Sequence, residues 1–170
     1  MKFGSFNTGV LWHTVWVYDP LDPGGLYSHI TKQHCNQGFV WRPGCVGFFV
    51  ETEEPDLSVE IWMDEAVQLA SDVVRAIQLP FKVGQEGIVI CGGDGGKGTP
   101  VVIPVGSYAL TFENGYLIDP KSVDPIDVDM LPMWCRLWFN RQDHVEPKIL
   151  VQDAELSPTY PLCMQAEIIR

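Results

Sequence analysis

The chain has 170 residues, with 22 Asp or Glu against 11 Lys or Arg and a formal charge of −11. A hydrophobic share of 46% excludes a disordered acidic tail, and the charge balance argues against a direct reader of DNA or RNA, whose phosphates demand Lys and Arg. A chain this long is read as one domain over residues 1–170 that needs no disulfides, and with no basic-plus-apolar leader, lipidation pattern or apolar run of about 20 residues the expectation is a cytoplasmic protein without membrane contact.

Val10 to Tyr18 is the first predicted strand, with Trp12, Trp16 and Tyr18 on one face and Leu11, Val15 and Val17 on the other. Two prolines and two glycines between Asp19 and Gly25 end it in a loop. Gly38 to Trp41 and Val46 to Glu51 flank Arg42-Pro43-Gly44-Cys45, a hairpin signal. Val59 to Trp62 alternates as a strand, and Met63, Ala66, Val67, Ala70, Val73 and Val74 then recur at helical spacing, which predicts about two helical turns after an Asp64 cap. From Ala76 four strand-like runs follow to Glu113; in the first, Ile77, Leu79, Phe81 and Val83 share one face while Gln78 and Lys82 share the other. Asn114-Gly115 reads as a tight turn, Asp119 to Pro132 as a surface connection, and Met133 to Asn140, Lys148 to Gln152 and Leu162 to Ile169 as the last strands. The fold class is all-β, an antiparallel β-sandwich of about nine strands with one short helix.

The order Gly38-Phe39-Val40-Trp41, Gly47-Phe48-Phe49-Val50-Glu51, Leu79-Pro80-Phe81-Lys82-Val83, Gly87-Ile88-Val89-Ile90 and Pro104-Val105-Gly106-Ser107-Tyr108-Ala109-Leu110-Thr111 resembles the competence protein J family over roughly residues 38 to 113. A weaker echo lies near Lys148 to Ser157. That family is known as cytoplasmic inhibitors of a DNA-entry nuclease. The resemblance implies a β-sandwich that binds and blocks a protein, and it carries no catalytic signature. Asp119 to Pro147 is longer than the family's pattern.

Glu51, Glu53, Glu54, Asp56, Glu60, Asp64 and Glu65 place seven carboxylates in fifteen residues without a Lys or Arg among them. Such a run is either a solvated loop or a patch that steers a basic protein, for example a nuclease, toward the chain. The partner-binding candidates are Glu51, Glu53, Glu54 and Asp56, with Arg42 and Trp41 on the first hairpin and Asp94 in the glycine-rich loop. Gly92 to Thr99 lacks the glycine spacing and the hydroxyl residue of a phosphate-binding loop and joins two strands, so no nucleotide is expected. His29, His34, Cys35 and Cys45 match no compact zinc spacing, so neither a metal nor a cofactor is expected. Cys35 or Cys45 with His29, His34 or His144 supplies the residue types of a nucleophilic site without its local motifs, and the chain is read as a non-enzyme. Two readings stand beside the inhibitor: a small-molecule-binding sandwich or hydrolase, and a homo-oligomer joined through strand edges. Trp41, Trp62 and Trp138 are interface anchors in the first reading and core packing in the bland one.

Overall fold

The computed structural model describes residues 1–22, 28–51, 57–93 and 98–169. Among them are strands β1 (Lys2–Thr8), β2 (Thr14–Tyr18), β3 (Phe39–Arg42), β4 (Cys45–Phe49), β5 (Leu57–Met63), β6 (Arg75–Val83), β7 (Ile88–Cys91), β8 (Thr99–Val101), β9 (Gly106–Tyr116), β10 (Met133–Arg141) and β11 (Lys148–Val151), with one α-helix, α1 (Lys32–Gln37). One sheet runs β1-β5-β10-β9-β6-β11 and the other β3-β4-β2-β7-β8. Every pairing is antiparallel except β5 with β10. The expected all-β class with little helix holds, with eleven strands where about nine were read.

Alternation assigns the faces. Ile77, Leu79, Phe81 and Val83 of β6 and Leu110 and Phe112 of β9 point inward against Val15, Val17, Phe39 and Phe48 of the smaller sheet. The rings of Phe48 and Phe112 stack with centroids 4.5 Å apart, so the two sheets interdigitate there. Pro43 and Gly44 close the β3–β4 hairpin as expected, Gly44 taking φ +80°.

Several expectations fail for identifiable reasons. No helix follows Asp64, which itself takes φ +51° and gives its amide to the Phe139 carbonyl. Residues 64–74 instead run irregularly over the outer face of the larger sheet, where the Ala70 amide donates to the fully buried Glu113. Asn114-Gly115 makes no turn and continues β9, because both residues pair with Cys135 and Trp134 of β10; the Trp134 ring fills the space a side chain on Gly115 would take. The single helix is α1, closed at its start by Thr31 and His34 acting on each other's backbone amides and at its end by left-handed Gly38. Leu162 to Ile169 is a strap and not a strand: Gln37 bonds both amide and carbonyl of Cys163, His34 the carbonyl of Gln165, and only an isolated bridge joins Ser28 to Ile168. The amino-terminal strand β1, beyond the predicted elements, pairs along β5 at the sheet edge.

Candidate functional site

The structure places the described partner-binding candidates mostly inside. Arg42 is buried, ion-paired with Asp22 and bonded through Nε to Ser28 Oγ. Trp41 is half-buried and donates its indole N–H to the Pro80 carbonyl at 2.8 Å. Glu51, 8% exposed, points inward as well. Glu53, Glu54, Asp56 and Asp94 lie outside the described residues. The seven-carboxylate run is therefore not one face, since Glu60 sits on the outer side of β5 bonded to Lys2, Trp62 and Arg136.

Sequence reasoning missed the residue that organises one end of the sandwich. Arg75 opens β6, and because it shares parity with Ile77, Leu79, Phe81 and Val83 it must point into the interior. It is 2% exposed. Its Nε donates to Asp153 Oδ2 at 2.6 Å and Nη1 to the Phe49 carbonyl at 2.5 Å, while Nη2 faces Glu51 at 3.1 Å and Glu155 at 3.6 Å. Asn114, paired across the sheet with Arg75, donates to Glu51 Oε2 at 2.7 Å. The Tyr116 phenol is pushed up to about 12, by burial first and then by the charges of Glu51, Glu155, Asp153 and Asp129, the last from the β9–β10 connection. Four carboxylates thus share this end with one buried guanidinium.

Beside them opens a groove of about 550 Å³, lined among others by Trp12, Ile30, Phe49, Glu51, Asp129 and Glu155. Trp12 was expected in a strand. It is 77% exposed, and both it and His13 take left-handed backbone conformations, φ +59° and +51°. Bulky residues avoid that region at a cost of roughly 1–2 kcal/mol each. Three bonds hold the turn: Thr14 Oγ1 to the Trp12 carbonyl, the Val50 amide to the His13 carbonyl, and the Leu11 amide to the Gly92 carbonyl. Gly92 and Gly93 lie against residues 9–11 so closely that no side chain fits between them. They make room for this turn.

The larger charge balance follows. Leu117 and Ile118 are exposed just before the connection that the sequence marks as a surface loop from Asp119 to Pro132, and Ile126 and Met130 are exposed on it among Asp119, Asp124, Asp127 and Asp129. Asp119 and Asp124 each start a 3₁₀ turn by accepting from the amide two residues on. Apolar side chains interleaved with carboxylates suit contact with a cationic protein surface.

Burial pushes the Glu51 carboxyl up from its ordinary 4.5 to about 7, against the pull of Arg75 and the Asn114 bond. Burial works the same way on Asp153, but there the Arg75 hydrogen bond and charge win and hold it below its ordinary value. Asp153 thus takes the better share of the guanidinium and Glu51 is the group that protonates. A carboxyl raised on folding stabilises fully below its unfolded value and loses that contribution as pH rises through its folded value. The stability of the wild type relative to Glu51→Gln should therefore fall between about pH 4.5 and 7, by up to about 3 kcal/mol. Urea unfolding of both proteins across this range measures it, and parallel profiles would refute the assignment.

Cys45 is buried and its thiol pushed up to about 12 by desolvation, which keeps it unreactive. His34 accepts the Thr31 amide at Nδ1, so the neutral ring carries its proton on Nε2, which donates to the Gln165 carbonyl at 3.0 Å. Cys163 lies 3.4 Å from that nitrogen and meets a donor, not a base. Among the described residues no three His, Cys, Asp or Glu side chains gather as a metal site.

A family model described as Competence protein J (ComJ) matches residues 8–139, a span that includes Trp12, Glu51, Arg75 and Asp129. The crystal structure of ComJ, inhibitor of the DNA degrading activity of NucA, from Bacillus subtilis is similar to this chain with a TM-score of 0.62 and 15% sequence identity, covering 82% of this chain and 97% of that one. At that identity the likeness speaks for the fold. No curated protein matches the chain significantly.

Proposed function

The chain belongs to the competence protein J family, and from that premise we propose that it is a protein inhibitor that binds and blocks a DNA-degrading nuclease. The observation that carries the site assignment is the groove end, where four carboxylates accompany a single buried arginine and an exposed Trp12. A nuclease must present Lys and Arg to the phosphates of its substrate. A surface that offers carboxylates and apolar anchors competes for those cations and covers them. No bond is made or broken in this mechanism, which is occlusion.

The test is plasmid cleavage by a nuclease of the NucA type with the inhibitor titrated in. Trp12→Gly separates binding from folding: glycine suits φ +59° and the lost ring is exposed, so stability should stay within about 1 kcal/mol of the wild type. Combined with Glu155→Gln it should weaken inhibition at least tenfold, and association of the wild type should slow as salt rises. Full inhibition by the double variant would remove the groove from the mechanism; failure of the wild type to inhibit would remove the mechanism itself.

A further inference from the structure

β1 is the last strand of the larger sheet, and among the described residues no strand pairs with its outer edge. An open edge offers a row of backbone N–H and C=O groups to any other extended chain, and natural sheets blunt it with short strands, prolines, charges or bulges. The other edges of the two described sheets are short: β8 has three residues and contains Pro100, while β3 and β11 have four each. β1 has seven, and from Phe3 to Thr8 they include neither proline nor charge. Its register shift falls between Lys2 and Gly4, at the start, which leaves Gly4 to Thr8 in regular pairing with β5.

This stretch also complements itself. Gly4 and Phe6 lie opposite the buried Ile61 and Val59 and so face the core side, whereas Ser5 lies opposite Glu60 on the outer side. The Phe6 ring is only partly buried against the core. Beside it, a side chain at Gly4 would meet nothing within 4 Å. An antiparallel copy of β1 laid along the edge with Ser5 facing Ser5 places each Phe6 directly opposite the other chain's Gly4. There the ring covers the bare glycine, a pairing that stabilises strand edges. The register is two-fold symmetric, so each contact away from Ser5 is made twice. A foreign strand would have to supply an aromatic and a small residue at the same spacing; this chain carries both.

We infer that β1 is a homodimerisation edge through which two copies join their larger sheets into one, with Ser5 on the two-fold axis and Phe6 of each copy over Gly4 of the other. The pairing is short and the dimer correspondingly weak. It lies apart from the groove and does not rest on the inhibitor reading.

Sedimentation equilibrium of the full chain from about 10 µM to about 1 mM, a range that spans weak association, should show the average mass rising from one chain toward two. Salt at about 0.15 M screens the −11 charge of each copy. Ser5 is exposed, and Ser5→Lys and Ser5→Glu each set like charges opposite one another at the axis, which should weaken association at least about threefold. Ser5→Lys does so while lowering the net negative charge, so general repulsion does not account for the loss. An equimolar mixture of the two variants should associate at least as well as the wild type, since Lys then faces Glu; a misfolded variant gives no such rescue. Wild type that stays as single chains at the highest concentration, variants that associate like the wild type, or a mixture no stronger than either variant alone would each overturn the pairing. If the chain stays single and Ser5→Lys instead loses inhibition of the nuclease, the edge belongs to the nuclease and the second copy is refuted.

Discussion

Truncating Arg75 to alanine should cost about 3 to 5 kcal/mol, the range for deleting one member of a buried ion pair, and should do so without touching the hydrophobic core. The guanidinium reaches three separate pieces of chain: Asp153 after β11, the Phe49 carbonyl at the end of β4, and Glu51. Because β4 belongs to the smaller sheet and β6 to the larger, Arg75 ties the two layers together at the end where they would otherwise part. Removing it leaves the buried Glu51 carboxyl, the partly buried Asp153 carboxylate and a carbonyl without their donors. Glu155 contributes little to this sum because its side chain is 68% exposed and screened by water.

Arg75→Lys keeps the charge but cannot supply Nε and both Nη directions together, and should recover less than half of the loss. Arg75→Met with Glu51→Gln and Asp153→Asn removes the charges as a set and should recover most of it, since a buried pair adds little over a well-packed neutral replacement. Urea unfolding at pH 7 measures all three against the wild type. A cost for Arg75→Ala below about 1 kcal/mol would mean that the pairing merely tolerates burial and does not hold the layers.

Arg75 also shows what was readable in advance. The alternation that placed Ile77, Leu79, Phe81 and Val83 in the core extends back two residues to Arg75, and forward along β9 from Phe112 to Asn114. An arginine and an asparagine on inward positions of adjacent strands are a legible demand for buried acceptors. Which carboxylates answer it was not legible, because Glu51 and Asp153 lie 24 residues before and 78 residues after Arg75. Local pattern decided the sheet strands well for the same reason that it misjudged residues 64–74. Val67, Ala70, Val73 and Val74 recur at helical spacing, but the outer face of the larger sheet carries Glu113, fully buried, and the Ala70 amide is one of its donors. Inside a helix that amide would be spent on the helix itself. Tertiary demand for a donor won over local spacing.

Trp12 escaped notice for the opposite reason. Its spacing with Trp16 and Tyr18 is that of a strand, and nothing in the type of residue announces a left-handed turn, since tryptophan and histidine both resist one. The conformation is imposed from outside by the bonds of Thr14, Val50 and Gly92. The adjacent glycines at the end of β7 lack the spacing of a phosphate-binding loop, and their meaning is close approach of two backbones.

That approach makes Gly92 the position where one methyl group should do the most damage to inhibition from outside the groove. A Cβ at residue 92 would stand 1.5 Å from the Gly9 carbonyl oxygen and 2.6 Å from its carbon, and at residue 93 it would meet the Leu11 carbonyl oxygen at 2.1 Å. Overpacked side chains usually cost about 1 to 3 kcal/mol because a neighbour's rotamer can yield. Here the neighbour is backbone, so the turn carrying Trp12 must move. Gly92→Ala should lose at least about 2 kcal/mol and, assayed where the variant remains folded by circular dichroism, should inhibit the nuclease at least tenfold less well than the wild type. Trp12→Gly with Glu155→Gln provides the contrast, since it should weaken inhibition while Trp12→Gly keeps stability. If Gly92→Ala kept both, the glycines would not be holding the turn, and the outward pose of Trp12 would have to come from the Thr14 and Val50 bonds alone. If it lost stability but inhibited normally when folded, the turn would reset on its own and the groove would not depend on the exact seat of Trp12. Loss of both ties the glycine run to partner binding through the geometry it permits in a neighbouring segment, with no ligand of its own.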